Sequence, residues 1–224
     1  MGKKERILVA WSGGKDSALA LHELKKSGLY EIESLFCTLT EDFDRVSMHG
    51  VRRILIERQA LAVGYPLKEV FIPYPCSNEP YESLMTDALQ PYRDSGIQIV
   101  VFGDIFLEDI KRYREDQMKK IGMTCLFPLW GRDSLKLARS FVDAGYRAVI
   151  TCVDSARLDR TYAGRIIDHT LLKDLPEGVD PSGENGEFHT FVFDGPLFRQ
   201  PVTFEVGEIR LRDERFYFCD LIPT

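Results

Sequence analysis

Short apolar runs alternate with amphipathic segments through the first half of the chain. The runs have the length of buried strands, and the segments between them repeat apolar residues at three- and four-residue steps, as helices do. This alternation is typical of βαβ crossovers, which build a parallel sheet. The pattern predicts strands near 6–10, 33–38, 68–72 and 97–102, and helices near 16–27, 48–64, 79–94 and 108–121.

The pattern changes near residue 132, after a short strand at 125–126. Beyond it the sequence predicts, in order, a helix at 133–144, a strand at 148–153, a helix at 161–173, a Gly- and Pro-rich loop over 175–190, a strand at 191–193, and a hairpin of strands 202–211 and 215–221. We therefore expect an α/β protein with two domains. These are a Rossmann-like parallel-sheet domain, residues 1–132, and a smaller C-terminal α+β domain, residues 133–224.

The segment between the first strand and the first helix, WSGGKDS, predicts a phosphate site. Two glycines allow a close backbone approach, the helix start presents free N–H groups, and a lysine supplies positive charge. Neither the Walker A spacing nor the dinucleotide fingerprint fits. Asp16 has two readings, a ligand of Mg²⁺ or a cap of the helix. The candidate nucleotide-binding residues are Ser12, Gly13, Gly14, Lys15, Asp16 and Ser17.

Overall composition excludes several classes of protein. A net charge of −6 and a pI near 5.3 leave no general footprint for nucleic acid. The sequence has no run long enough to span a membrane and no signal peptide, so we expect a cytoplasmic protein. Its 5 cysteines are odd in number and lack a close pair, which favours buried thiols over disulfides or a metal site.

A second polar segment, GENGEFHT at 183–190, places two carboxylates, an amide and an imidazole between glycines just before a strand. Loops of this kind often hold functional residues because the scaffold positions them. Taken alone, the segment is more typical of a solvated turn than of a functional loop. Together with the phosphate site it predicts a loop that faces the phosphate turn across a cleft.

The first of these segments resembles the Ser-Gly-Gly-x-Asp-Ser PP-loop of the ATP pyrophosphatases. The PP-loop, Gly103-Asp104-Ile105 with Glu108, the FPLWGR stretch ending at Arg132 and the GENGEFHT loop occur in the order seen in the diphthine–ammonia ligase family. This resemblance implies a HUP-type nucleotide-binding domain, Mg²⁺ and ATP, an acyl-adenylate, and ammonia as the nitrogen donor. The acceptor would be a carboxylate, either diphthine on elongation factor 2 or an unknown small acid.

The resemblance and the strand ends together assign the remaining candidate residues. Thr38, Thr40, Gly103 and Asp104 end strands where open α/β sheets bind ligands, and we expect them beside the nucleotide. Trp130 and Arg132 would contact the acceptor; the alternative is a packed Trp and a surface Arg, but the neighbouring Pro128 and Gly131 favour a shaped cleft. Catalytic candidates are Lys15, Asp16, Glu184, Glu187 and His189, and acceptor-binding candidates in the loop are Glu184, Asn185 and His189.

Competing hypotheses remain open on the sequence. Many ligases of the family have Glu where this chain has His189, and His49 is equally compatible with a ligand contact and an incidental surface position. A non-catalytic ATP- or AMP-binding regulatory module would use the same fold, but the reactive residues of the loop are all present here. tRNA thiolation or lysidine formation would need catalytic cysteines or a basic surface. The sequence is also compatible with a homodimer.

Overall fold

The computed structural model describes residues 4–224 as an α/β protein with two sheets. Its strands are β1 (Glu5–Ala10), β2 (Tyr30–Thr40), β3 (Arg45–Val46), β4 (Leu67–Ile72), β5 (Ile99–Val101), β6 (Thr124–Leu126), β7 (Arg147–Asp154), β8 (Phe188–Asp194), β9 (Phe204–Arg212) and β10 (Phe216–Pro223). Its helices are α1 (Lys15–Ser27), α2 (Arg53–Val63), α3 (Asn78–Asp94), α4 (Glu108–Lys120), α5 (Ser134–Asp143) and α6 (His169–Asp174).

The first sheet has a parallel core in the order β4-β2-β1-β5-β6. Counted along the chain, these five strands follow the Rossmann-type order 3-2-1-4-5, which reverses direction between β1 and β5. Ligands of open α/β sheets bind outside the carboxyl ends of the strands at such a reversal. The two short β3 residues pair antiparallel with the end of β2. The predicted Rossmann-like domain is confirmed.

The second sheet is antiparallel, in the order β8-β7-β10-β9. Its predicted hairpin is present as β9 and β10, joined by residues 213–215, of which Asp213 and Glu214 have φ angles of 50° and 53°. Two consecutive positive φ values are typical of the tight hairpin turn whose twist matches that of the strands. This sheet and its helices form the smaller C-terminal part of the molecule.

One hydrophobic core extends across both sheets. It joins Ile7 and Leu35 of the first sheet to Val149 and Phe191 of the second, with Phe141 of α5 between them, all with less than 1% of their surface exposed. A second cluster fills the opposite face of the first sheet beneath α3 and α4. The domain boundary near residue 132 therefore stays a prediction about chain organisation, while the packing is continuous.

Two predicted helices differ from those in the structure. Residues 48–52 form a turn instead of the first turns of α2, because Gly50 has a φ of 69° and the N–H of Val46 donates to the carbonyl of Val51. The segment 161–173 is interrupted at Gly164, so that only a short 3₁₀ turn, Arg160–Tyr162, and α6 are helical.

The loop predicted over 175–190 ends earlier than expected. β8 begins at Phe188, which places His189 and Thr190 within a strand paired with β7. The predicted end of the loop was too late because glycines and an asparagine, which favour turns, continue almost to the start of the strand. Among residues 4–224, no helix is both long enough and apolar enough to cross a membrane.

Candidate active site

The PP-loop turns directly from β1 into α1. Gly13 has a φ of 76°, a conformation that favours glycine, and Gly14 occupies the position that precedes the helix. No side chain caps α1. The hydroxyl of Ser17 donates to the carbonyl of Gly14 at 2.9 Å, and the hydroxyl of Ser12 accepts from the N–H of Gly14 at 3.3 Å. The start of the helix dipole therefore stays available to an anion.

Lys15 and Asp16 form a close ion pair at the start of α1. The ammonium of Lys15, only 2% exposed, donates to both carboxylate oxygens of Asp16 at 2.6 and 2.7 Å. Burial raises the pKa of Asp16, while the charge of Lys15 acts in the opposite direction and the carboxylates of Asp180 and Asp104 reinforce the rise. The pair thus concentrates positive and negative charge where the sheet order reverses.

The end of β5 closes against the start of α1. A Cβ atom on Gly103 would lie 2.9 Å from the backbone carbon of Asp16, so only glycine permits this approach. Asp104 is paired with Arg114 of α4, with 2.7 Å between its Oδ2 and the Nε of Arg114. Ile105 then offers its N–H and its carbonyl to two different segments of the site. The predicted residues Gly103 and Asp104 thus border the PP-loop.

Glu184 occupies the gap between the end of β5 and the PP-loop. Its Oε1 accepts from the N–H of Ile105 at 2.7 Å. Burial raises its pKa to about 7, and the nearby Asp16 and Asp104 add to this effect, whereas the Ile105 bond and Lys15 oppose it. A carboxyl group with this pKa exchanges protons near neutral pH, which is the property of a general acid or base.

Glu187, in contrast, is fully buried and holds its own loop together. Its carboxylate accepts from the N–H of Asp180 at 3.0 Å and from both the backbone N–H and the side-chain amide of Asn185, each at 3.0 Å. Asp180 in turn accepts from the N–H of Glu184 at 2.8 Å. This network fixes the backbone that presents Glu184, and Asn185 is an exposed member of it.

The loop and the PP-loop are joined by direct hydrogen bonds. The N–H of Lys15 donates to the hydroxyl of Thr190 at 3.1 Å, across 175 residues of sequence. Two residues earlier in the PP-loop, the carbonyl of Gly13 accepts from the N–H of Val192 at 2.9 Å. The expectation that the 183–190 segment faces the PP-loop is therefore confirmed as a placement.

Gln59 of α2 is a buried connector that the sequence analysis missed. Its side-chain amide donates to the carbonyls of Gly13 at 3.0 Å and Val192 at 2.5 Å, and its oxygen accepts from the indole N–H of Trp11 at 2.6 Å. The side chain has no exposed surface. The available signal was a single polar residue on the apolar face of α2. Asp180 and Thr190 were likewise missed as contributors to the site.

His49 and His189 lie side by side above the PP-loop. Their ring centroids are 4.7 Å apart, and Nδ1 of His49 lies 3.0 Å from the carbonyl oxygen of Thr190. Burial lowers the pKa of His49 to about 4 and, together with His49 and Lys15, lowers that of His189 to about 3. Both rings are therefore neutral near pH 7.

Two family models match this chain, described as diphthamide synthase N-terminal domain over residues 5–125 and diphthamide synthase C-terminal domain over residues 133–220. The chain belongs to the diphthine–ammonia ligase family. It is similar to the Homo sapiens protein named diphthine–ammonia ligase, with 31% identity over 91% of this chain and 84% of that protein. Similarity to the Danio rerio protein of the same name is 25% over 91% and 88%.

A diphthine–ammonia ligase of Schizosaccharomyces pombe is 30% identical over 91% of this chain, which spans only 37% of that protein's length. The two family models extend between them from residue 5 to residue 220, which takes in the PP-loop and most of the second sheet.

The other predicted residues of this family member lie around the same edge. Thr38 and Thr40 end β2, where the carbonyl of Thr38 and the hydroxyl of Thr40 bond Ser47 in the turn that carries His49. Trp130 packs beneath the ammonium of Lys111 at 4.7 Å, and the neighbouring N–H of Gly131 donates to the carbonyl of Ile105. Arg132 is directed to Glu23 of α1, 3.4 Å away, instead of to the PP-loop.

The residues at the PP-loop fit a nucleoside triphosphate with Mg²⁺. The uncapped helix start and Lys15 suit phosphate oxygens, and Asp16 adds one carboxylate. Magnesium in nucleotide sites is usually bound by one or two carboxylates and the phosphates themselves. Within the described ranges, no group of three or more His, Cys, Asp or Glu side chains is arranged around a common metal position.

Proposed function

We propose that this chain is an ATP-dependent ligase that converts a carboxylate to an amide through an acyl-adenylate. The observation that carries the proposal is the hydrogen bond from the N–H of Lys15 to Thr190, which joins a phosphate-binding turn to a loop bearing a carboxyl group that titrates near pH 7. Phosphate binding and proton transfer are thereby brought to one edge of the sheet. The family relatives named diphthine–ammonia ligase support the same chemistry.

The proposed reaction has two steps. A carboxylate oxygen of the acceptor attacks the α-phosphorus of ATP, the bond to the bridging oxygen breaks, and pyrophosphate leaves. The nitrogen of ammonia then attacks the acyl carbon, the carbon–oxygen bond to AMP breaks, and one proton leaves the nitrogen. Activation is needed because an unmodified carboxylate oxygen is too poor a leaving group to be displaced by ammonia.

We assign the phosphates to the Ser12–Ser17 turn and the start of α1. Lys15 neutralises charge on the phosphate oxygens, and Asp16 is the residue that would hold Mg²⁺. Bound there, Mg²⁺ supplies positive charge that stabilises the oxygens on which negative charge develops. Thr38, Thr40, Gly103 and Asp104 border the nucleotide.

Proton transfer in the second step falls to Glu184. Its carboxylate is poised to accept the proton lost from the nitrogen, because its pKa lies near the working pH. Glu187 and Asn185 are positioning residues, since their hydrogen bonds hold the loop that presents Glu184. Trp130 flanks the acceptor in this proposal. Arg132, whose guanidinium lies 3.4 Å from the carboxylate of Glu23, is not assigned a role.

The acceptor follows from the names of the relatives. Diphthine on elongation factor 2 is our first choice, with ammonia as the second substrate, and a small carboxylic acid is the alternative. An acceptor presented on a protein would need the exposed edge of the cleft, which Asn185 borders.

The decisive experiment uses ATP labelled in turn at the α- and γ-phosphates, with diphthine-bearing elongation factor 2 and ammonium chloride. We expect labelled AMP and labelled pyrophosphate in equal amounts, only when the acceptor is present. Formation of ADP and orthophosphate would refute attack at the α-phosphorus. Tight ATP binding without products, for this acceptor and for a panel of small acids, would favour the regulatory module instead.

A further inference from the structure

The turn that carries His49 is anchored on both sides. On one side, Asp220 of β10 accepts from Arg45 at 2.9 Å and from Arg52 at 2.6 Å, and on the other Ser47 bonds the end of β2. A Cβ on Gly50 would lie 2.5 Å from the ring of Phe218. These contacts fix the backbone of the turn, and they therefore fix the position of His49.

The contact of His49 with Thr190 determines which nitrogen carries the proton. A backbone carbonyl can only accept, so at 3.0 Å the Nδ1 of His49 must donate. In a neutral ring, Nε2 is then an unprotonated acceptor. A neighbouring imidazole at 4.7 Å and the buried ammonium of Lys15 both disfavour a second proton there.

Nε2 of His49 and both ring nitrogens of His189 keep some exposed surface. In the part of the chain that the structure describes, Nε2 of His49 and the two ring nitrogens of His189 have no hydrogen-bond partner. All three atoms are accessible enough not to count as buried. Both rings are half-buried. The two neighbouring rings form one neutral surface beside Gly14, where a Cβ would lie 2.8 Å from Cε1 of His49.

An unprotonated imidazole nitrogen accepts a hydrogen bond, so it favours a ligand that carries a donor hydrogen and has a suitable charge. A phosphate oxygen without a proton cannot donate to it, and the charge of Lys15 disfavours protonation of the ring. A small neutral group with N–H bonds suits the surface. Resting on the function proposed above, we propose that His49 and His189 form the seat for ammonia, with Nε2 of His49 accepting one N–H and orienting the nitrogen lone pair towards the acyl carbon.

The first test reads the free protein and needs no turnover. With ¹⁵N-histidine, two-bond ¹H–¹⁵N spectra at pH 8 should show His49 protonated at Nδ1 alone. Ammonium chloride, which supplies free ammonia at this pH, should shift its Nε2 resonance, whereas tetramethylammonium chloride at the same ionic strength should not. A proton on Nε2, or equal responses to both salts, would overturn the proposal even if the ligase reaction is confirmed.

The second test separates the nitrogen donor from ATP. His49→Asn keeps a side-chain N–H able to donate to Thr190 but removes Nε2, so the KM for ammonium should rise about tenfold, the effect of losing one hydrogen bond, with the KM for ATP unchanged. His22→Asn is the matched control, because His22 bonds Tyr146 through Nδ1 on α1, away from the loop. A thermal melt verifies folding, with His49→Gln as a second variant.

The possible outcomes discriminate between two failures. An unchanged KM for ammonium in His49→Asn, or a rise confined to the KM for ATP, would overturn the ammonia seat while leaving the ligase intact. An inactive wild-type protein would refute the proposed function, and the spectra would still decide whether the imidazole pair binds ammonia.

Discussion

The carboxylate of Asp16 forms an ion pair with Lys15 and does not cap the start of helix α1. The structure shows no side-chain cap on α1, so the capping role considered from the sequence has no geometric support. Removing the carboxylate would leave the nearly buried ammonium of Lys15 with a neutral partner, whereas the phosphates of ATP would supply the missing negative charge. The residue therefore links stability to nucleotide binding.

We predict that Asp16→Asn folds, loses roughly 1–2 kcal/mol of stability because a charged hydrogen bond becomes a neutral one, and loses most pyrophosphate release. Addition of ATP should recover much of the stability. Thermal melts with and without ATP beside a pyrophosphate assay measure this, with the exposed Asp87→Asn on α3 as control. Unchanged turnover in Asp16→Asn would refute its catalytic role.

Glu184 predicts a pH dependence with a definite sign. Its pKa rises from 4.5 to about 7 on folding, so the folded state binds the proton more tightly, and this stabilisation is present below pH 4.5 and lost as the pH rises through 7. Glu184→Gln, which cannot ionise, should gain stability relative to wild type between pH 5 and about 7.5. Amide formation by the wild type should increase over the same interval as the base ionises, and the limb should vanish in the variant.

Denaturant melts across this pH range measure the first effect, and initial rates at saturating ATP measure the second. A stability difference independent of pH would show that the Glu184 carboxyl has an ordinary pKa. A wild-type rate that is flat between pH 6 and 8, with chemistry rate-limiting, would exclude it as the base.

At the scale of elements, one buried amide connects helix α2, the PP-loop and strand β8. Gln59→Leu would leave the indole N–H of Trp11 and the carbonyls of Gly13 and Val192 without this partner, at a cost of about 3 kcal/mol. We also expect weaker ATP binding, since the turn at Gly13 loses a support. Urea unfolding and calorimetry test both, with the exposed Gln98→Leu as control.

Two glutamates, one buried in the 180–190 loop and one exposed just before it, allow a matched comparison. The carboxylate of Glu187 accepts from three N–H groups, and Glu187→Gln would replace one of its two oxygens by an N–H₂ donor. We therefore expect the loop to loosen, acceptor-dependent turnover to collapse, and ATP affinity to remain nearly unchanged. Glu177→Gln, an exposed position just before the loop, should behave as wild type. Loss of ATP binding in calorimetry would contradict this division between nucleotide and acceptor.

The elements themselves were largely predictable, because their signals are local. Strand, double glycine and helix mark the PP-loop, and the polar pair at 213–214 marks the hairpin. The roles of Gln59 and His49 were not predictable, since each depends on a partner more than a hundred residues away. The predicted start of α2 was wrong for a related reason. Gly50 and the hydrogen bonds from Arg45 and Arg52 to Asp220 hold this segment in a turn, although its pattern favours a helix.

At the scale of the whole molecule, the continuous core predicts cooperative behaviour. The two family matches fall on either side of the proposed boundary near residue 132, yet the shared core and the Val192–Gly13 bond bind the halves together. We expect a single unfolding transition by both fluorescence and circular dichroism. A fragment of residues 1–132 should fail to bind ATP in calorimetry. Two separate transitions, or tight ATP binding by the fragment, would show independent domains.

The bond between Lys15 and Thr190 also orders events during synthesis of the protein. The PP-loop sequence leaves the ribosome well before its partner in β8, which follows 175 residues later in the chain. Contacts so distant in sequence form late because the intervening chain must first be ordered. A nascent chain therefore completes its nucleotide turn only after β8 has emerged and paired with it.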